Sequence, residues 1–171
     1  MRTVFCLLVI FVPLALWPGL YNYALVPKQF VLHLLTALLC LLWLRRGYRN
    51  SCSLNFSAPL HIPILLWIGS HILSSELTNS GLTACTEILN QISLTTLCLI
   101  AAHALSGRDF ICVTWAAVLT GLCVSVIGIA QHYGVGFLWI PQAAPPAATW
   151  ANKNLLAEYM ICVIPLTGFL F

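Results

Sequence analysis

Charge is what this sequence has least of. Lys and Arg number 7 and Asp and Glu 4 among 171 residues, 6% of the chain, where a soluble domain carries about 25%. Against that stand 61% hydrophobic residues and a mean hydropathy of +0.97, which together exclude a water-soluble core. The polar–apolar alternation of a closed barrel is missing too, so the apolar runs read as helices that satisfy their own backbone in lipid. The expected fold class is all-α: a polytopic transmembrane helix bundle of about six spans at roughly 20 residues each. A net charge of +3 is too small and too scattered to suggest nucleic acid, and the expected partner is the lipid bilayer.

Metal and nucleophile signatures are absent as well. There is no C-x-x-C, phosphate-cradling glycine loop, nucleophile elbow or pair of carboxylates placed for hydrolysis. His33, His61, His71, His103 and His132 fall on different spans or loops, with no i,i+3 or i,i+4 pair, so no metal site and no cofactor is expected. Of the eight cysteines, Cys6, Cys40, Cys98, Cys112, Cys123 and Cys162 lie inside apolar runs and Cys52 lies beside an arginine cluster. Only Cys85 comes near the opposite face, which leaves no disulfide pair there. All read as packing thiols.

What is present is a series of apolar runs with informative punctuation. Spans are expected over 4–25, 26–44, 59–74, 82–105, 110–130 and 154–171, with an outer-face loop over 131–153. Pro13 and Pro18 bend or end the first run, since neither has an N–H for the ladder. It lacks a small-x-small cleavage site and reads as retained. Pro27 suits the first turn of the second, and Lys28 can snorkel from there to the interface. Arg45, Arg46 and Arg49 mark the cytoplasmic exit, which makes the N-terminus cytoplasmic. Arg2 and Arg108 then also lie inside, with Lys28 and Lys153 outside. In the outer loop Pro141, Pro145 and Pro146 forbid continuous helix, while Trp139 and Trp150 suit the headgroup level. The sixth run stops at Phe171 without a basic flank, so a chain truncated at its C-terminus is expected.

Two polar constellations stand out. Glu87, Asn90, Gln91 and Thr95 recur at helical spacing on one face of the fourth run. Such a stripe either lines a cavity for a polar substrate or fixes helix packing by hydrogen bonds, and packing weighs more because the stripe lies near the outer end. The second is the stretch from Thr149 to Met160, the most polar-dense point of the chain. Asn152 is a plausible N-cap, Glu158 shares a face with Asn154, and Lys153 adds a full charge to the helix N-terminus. That arrangement favours an anion, particularly a phosphate. A capped helix with an interfacial lysine is the simpler alternative, and on physics alone the weightier one.

Three stretches, in order, resemble the O-antigen ligase/polymerase family of bacterial membrane glycan transferases. Tyr21-Asn22-Tyr23-Ala24-Leu25-Val26-Pro27-Lys28 resembles the family's first outer loop and second span. Gly107-Arg108-Asp109 leads a helix ending Ile127-Gly128-Ile129-Ala130-Gln131-His132-Tyr133-Gly134, similar to its Gly-x-x-Gln-x-x-Gly ending. Last, residues 149–159 resemble its Gly-Asn-Pro-Asn-x-x-Ala-x-Tyr motif: Asn152, Asn154, Ala157 and Tyr159 match, while Ala151 replaces Gly and Lys153 replaces Pro. Those two departures bear on how tightly the loop turns into the helix.

The resemblance implies transfer or polymerisation of sugar chains carried on undecaprenyl diphosphate, at the outer face of a bacterial inner membrane. It implies no nucleotide-sugar donor and no catalytic metal. The family has about a dozen spans, of which this chain would hold the first half. Its key Arg and His residues lie in later outer loops, beyond Phe171, so no catalytic residue is expected here and a missing C-terminal half would supply them. Asn152, Lys153, Asn154 and Glu158, with Lys28 as a weaker candidate, would then seat the lipid diphosphate. Two other classes stay open: a transporter or flippase of lipid-linked glycan lined by the Glu87 stripe, and an inactive remnant or accessory membrane protein.

Overall fold

Helices in an apolar setting end where their last backbone groups find other partners, and the chain's prolines and small polar residues supply those points. The computed structural model describes residues 1–50, 61–76, 81–137, 140 and 146–170. They form six helices and, among the described residues, no strand: α1 (Arg2–Leu14), α2 (Leu25–Asn50), α3 (His61–Glu76), α4 (Gly81–Ala104), α5 (Gly107–His132) and α6 (Lys153–Leu170). The start of the expected third span (residues 59 and 60), Cys52, Trp139, Pro141, Pro145 and Phe171 lie outside the described residues.

Among the described residues, four stretches are long and apolar enough to cross a membrane: Leu25–Tyr48, Ala84–Ala104, Gly107–His132 and Lys153–Leu170. The chain is an all-helical membrane protein, and the expected count of about six spans is corrected to four helices of spanning length. α1 has 13 residues, about 20 Å at 1.5 Å per residue, against a hydrocarbon core of about 30 Å. α3 is also short, at 16 residues.

The expected run over 4–25 is therefore not one helix. Pro13 removes a donor, and Ala15 leaves the helix at φ −62°, ψ 123°. The chain then folds back: Leu20 N–H donates to the Trp17 carbonyl (3.1 Å) and Trp17 N–H to the Tyr23 carbonyl (2.9 Å). Asn22 Oδ1 receives the Leu25 N–H at 3.1 Å, tying down the first turn of α2. α5 begins on a capping box, in which Ser106 Oγ accepts from Asp109 N–H and the Asp109 carboxylate accepts from Ser106 N–H.

The described residues divide into two compact units, Met1–Leu35 with Leu105–Phe171, and Thr36–Ala104. In the first, α5 is the central helix; 28% of its span is buried, more than of any other candidate span. α1 runs parallel to it: Arg2 pairs with Asp109 at 3.6 Å, and Cys6 lies against Cys112. α6 runs antiparallel, with Phe110 edge-on to Phe169 (5.5 Å) at one end and Gly128 beside Leu156 toward the other. Between them Gly121 admits Val163 so closely that a Cβ on Gly121 would stand 2.6 Å from Val163 Cγ1. In the second unit, Trp67 of α3 donates its indole N–H to Gln91 Oε1 of α4 at 3.0 Å. The same ring lies 4.7 Å from the His71 ring.

Candidate functional site

Where α1 stops, the last carbonyls of the helix have lost their intrahelical donors, and in a low-dielectric setting they need others. Two residues from distant parts of the first unit supply them. Thr149 Oγ1 donates to the Pro13 carbonyl at 2.7 Å, and Lys28 Nζ donates to the Ala15 carbonyl at 2.7 Å. Lys28 also donates to the Thr149 carbonyl at 2.9 Å, and its ammonium sits 4.9 Å from the centre of the Trp150 ring. That is within cation–π range. Only 4% of Lys28 is exposed. It does not snorkel, and the sequence-based expectation is corrected: the carbonyls beside it solvate the ammonium in place of interfacial water.

The segment before α6 is held from the other side by Gln131, at the end of α5. Its Oε1 accepts from Ala148 N–H (2.7 Å) and Ala147 N–H (3.1 Å), and its Nε2 donates to the Ala148 carbonyl at 3.4 Å. Ala147, Ala148 and Thr149 are all buried, so this backbone, neither helix nor strand, has side-chain partners in place of a ladder. The path is bent. Ala148 and Ala151 hold φ of 47° and 62°, left-handed values that cost a residue with a Cβ about 1–2 kcal/mol.

Beyond the bend α6 opens on Asn152, whose Oδ1 accepts from Asn154 N–H at 2.9 Å, the N-cap expected from sequence. Asn152, Lys153, Asn154 and Glu158 are all exposed. The Trp150 and Tyr159 rings lie 5.2 Å apart, tilted by 32°. Among the described residues the Trp150 indole nitrogen and the Tyr159 hydroxyl are buried without a hydrogen-bond partner.

The remaining candidates lie in the second unit. Glu87 is exposed, while Asn90, Gln91 and Thr95 are half-buried. Gln91 is engaged by Trp67, and Asn90 Oδ1 is buried without a partner among the described residues. No family model, curated protein or solved structure matches the chain.

Lys28, Gln131, Thr149 and the start of α6 thus form one polar knot, and two of its residues have no role legible in the sequence. Gln131 stood there only as a motif position, and Thr149 only as the edge of one. Their partners are backbone groups 16 to 136 residues away, and a backbone partner leaves no mark on composition or spacing. Chemically the knot contains no nucleophile–base pair. It presents a helix N-terminus with its partial positive charge, one exposed ammonium and exposed amide side chains, an arrangement suited to holding an anion.

Proposed function

We propose that this chain is the N-terminal membrane portion of a lipid-linked glycan ligase or polymerase, acting on undecaprenyl diphosphate-linked sugar chains at the outer face of a bacterial inner membrane. Its own part is to seat the diphosphate at the mouth of α6. Lys153 and Asn154, on a helix N-terminus capped by Asn152, stabilise the charge that grows on the leaving diphosphate. Glu158, one turn further on, borders the seat.

One observation carries the reading. The three stretches singled out for their resemblance, at 21–28, 127–134 and 149–159, are tied to one another by side chains: Lys28 to the Thr149 carbonyl, and Gln131 to Ala147 and Ala148, just before the third stretch. The two departures from the family motif fit the same picture. Ala151, where glycine is usual, sits at φ 62°, a conformation that favours glycine. Lys153, where proline is usual, is the first residue of α6, the helix position that proline prefers. Lys28 moves in this reading from ligand to positioning residue. The transporter alternative loses ground, because Gln91 of its stripe is engaged in α3–α4 packing.

The test is photo-crosslinking in membranes with an undecaprenyl diphosphate analogue bearing a diazirine near the diphosphate. Label is expected in the peptide covering 149–159 and should fall at least about tenfold, or 1.4 kcal/mol of binding, in Lys153→Ala/Asn154→Ala. Lys153→Arg should keep most of it. Label spread evenly over the helices, unchanged by the double substitution, would remove the seat and with it the glycan-transfer reading.

A further inference from the structure

Two of the described cysteines pack against each other. Cys6 of α1 and Cys112 of α5 face each other across the helix pair with their Sγ atoms 4.0 Å apart, although 106 residues separate them in the chain. Both are free thiols, Cys112 exposed and Cys6 half-buried. Each lies one turn inward from a partner in the Arg2–Asp109 ion pair: Cys6 four residues after Arg2, Cys112 three after Asp109. The helices are thus held in register at the level of the two thiols. A disulfide would bring the two sulfurs to about 2.05 Å.

We propose that Cys6 and Cys112 form a redox modification site, a reversible disulfide that staples α1 to α5. The co-reactant is a low-molecular-weight or protein disulfide. The more exposed Cys112, as thiolate, attacks one sulfur of that disulfide and expels one thiolate, leaving a mixed disulfide. Cys6, as thiolate, then attacks Cys112 Sγ and expels the second. Two electrons pass from the cysteines to the co-reactant, and the two protons lost by the cysteines end on the released thiols. The other end of α1 presents the carbonyls that hold Thr149 and Lys28. Oxidation therefore fixes the helix that supports the knot, without touching a residue of the α6 mouth. The site stands on the thiol geometry alone, independently of the glycan reading.

The experiment uses the full chain in membranes, equilibrated across a series of oxidised-to-reduced glutathione ratios, alkylated, digested and mapped by mass spectrometry. A peptide joining Cys6 to Cys112 is expected and should vanish in Cys112→Ser. In a variant keeping only these two cysteines, the bridge should form at least about tenfold faster than in the same variant carrying Cys112→Ala and Ile111→Cys, because only the native pair is pre-aligned. The melting temperature should rise on oxidation and return with dithiothreitol. Overturning results would be both thiols of the wild-type chain alkylated after saturating oxidant, or equal bridging rates for the native and displaced pairs.

Discussion

At the scale of single residues, the chain's two lysines divide the work of one charge type. Lys28 is buried and donates to two carbonyls, while Lys153 is exposed at the start of α6. An isolated buried ammonium is expensive, and Lys28 is tolerable because Ala15 and Thr149 carbonyls and the Trp150 ring replace its water. Removing it leaves one buried and one part-buried acceptor without their donor, and bonds to charged groups are worth about 1.5–3 kcal/mol each. Lys28→Met is therefore expected to destabilise the protein by about 3 kcal/mol after credit for the charge no longer buried. Lys153→Met should stay within about 0.5 kcal/mol. Unfolding in mixed micelles measures both, and equal small effects would mean that Lys28 is no clamp. Gln131 offers a finer contrast. Gln131→Leu deprives the Ala147 and Ala148 N–H groups of their acceptor and should cost about 2 kcal/mol or more. Gln131→Glu keeps an acceptor and should lose less. Chymotryptic cleavage after Trp150 reads the difference directly, because a loosened 146–150 segment becomes a substrate; equal cleavage of the two variants would show that the amide does not hold it.

At the scale of elements, two contacts set how α6 enters and packs. Ala151→Gly at φ 62° removes left-handed strain and should stabilise by up to about 1 kcal/mol, the gain being reduced by glycine's freedom in the unfolded chain. Gly121→Ala drives a methyl into Val163 Cγ1 and should cost about 1–3 kcal/mol as overpacking. Adding Val163→Ala should recover part of that loss, and additive costs in the double-mutant cycle would show that the two helices do not meet there. These elements also mark how far the sequence could be read. The helices α2, α4, α5 and α6 were legible because apolar length and flanking polar residues report themselves. Asn152 was legible as a cap because capping is local. Pro13 and Pro18 announced the break in the first run, yet not how early the helix ends, because the chain turns away at Ala15 in response to Lys28, 13 residues from Ala15, and Thr149, 136 residues from Pro13. Polar residues in an apolar chain could be counted from sequence. Which of them face outward and which clamp backbone depends on where distant carbonyls arrive.

At the scale of the whole molecule, the proposed seat depends on which end of each helix meets which side of the bilayer. Within the first unit, Arg2 and Asp109 share one end, while Lys28, Gln131, Thr149 and the start of α6 share the other. α1 alone is too short to cross, but its last carbonyls reach the knot, and the folded-back segment at 15–24 continues from there with Trp17 and Tyr21 exposed. Non-helical backbone at that depth is tolerated where protein or the interface satisfies it. α2 then covers about 36 Å from Leu25 to Tyr48 at 1.5 Å per residue, ending beside the exposed Arg45 and Arg46. Under the proposed orientation, that arginine end lies on the cytoplasmic side, in keeping with the positive-inside rule. Tyr21, fully exposed, and Tyr48, at 93%, report the two sides. With all eight native cysteines replaced by alanine, Tyr21→Cys should react with a membrane-impermeant maleimide in intact spheroplasts. Tyr48→Cys should react only after permeabilisation. Reversed labelling would put the mouth of α6 on the cytoplasmic side, out of reach of any carrier at the outer face, and the proposed seat would fail together with the orientation. Labelling of both from outside would mean that α2, despite its length and apolarity, does not cross.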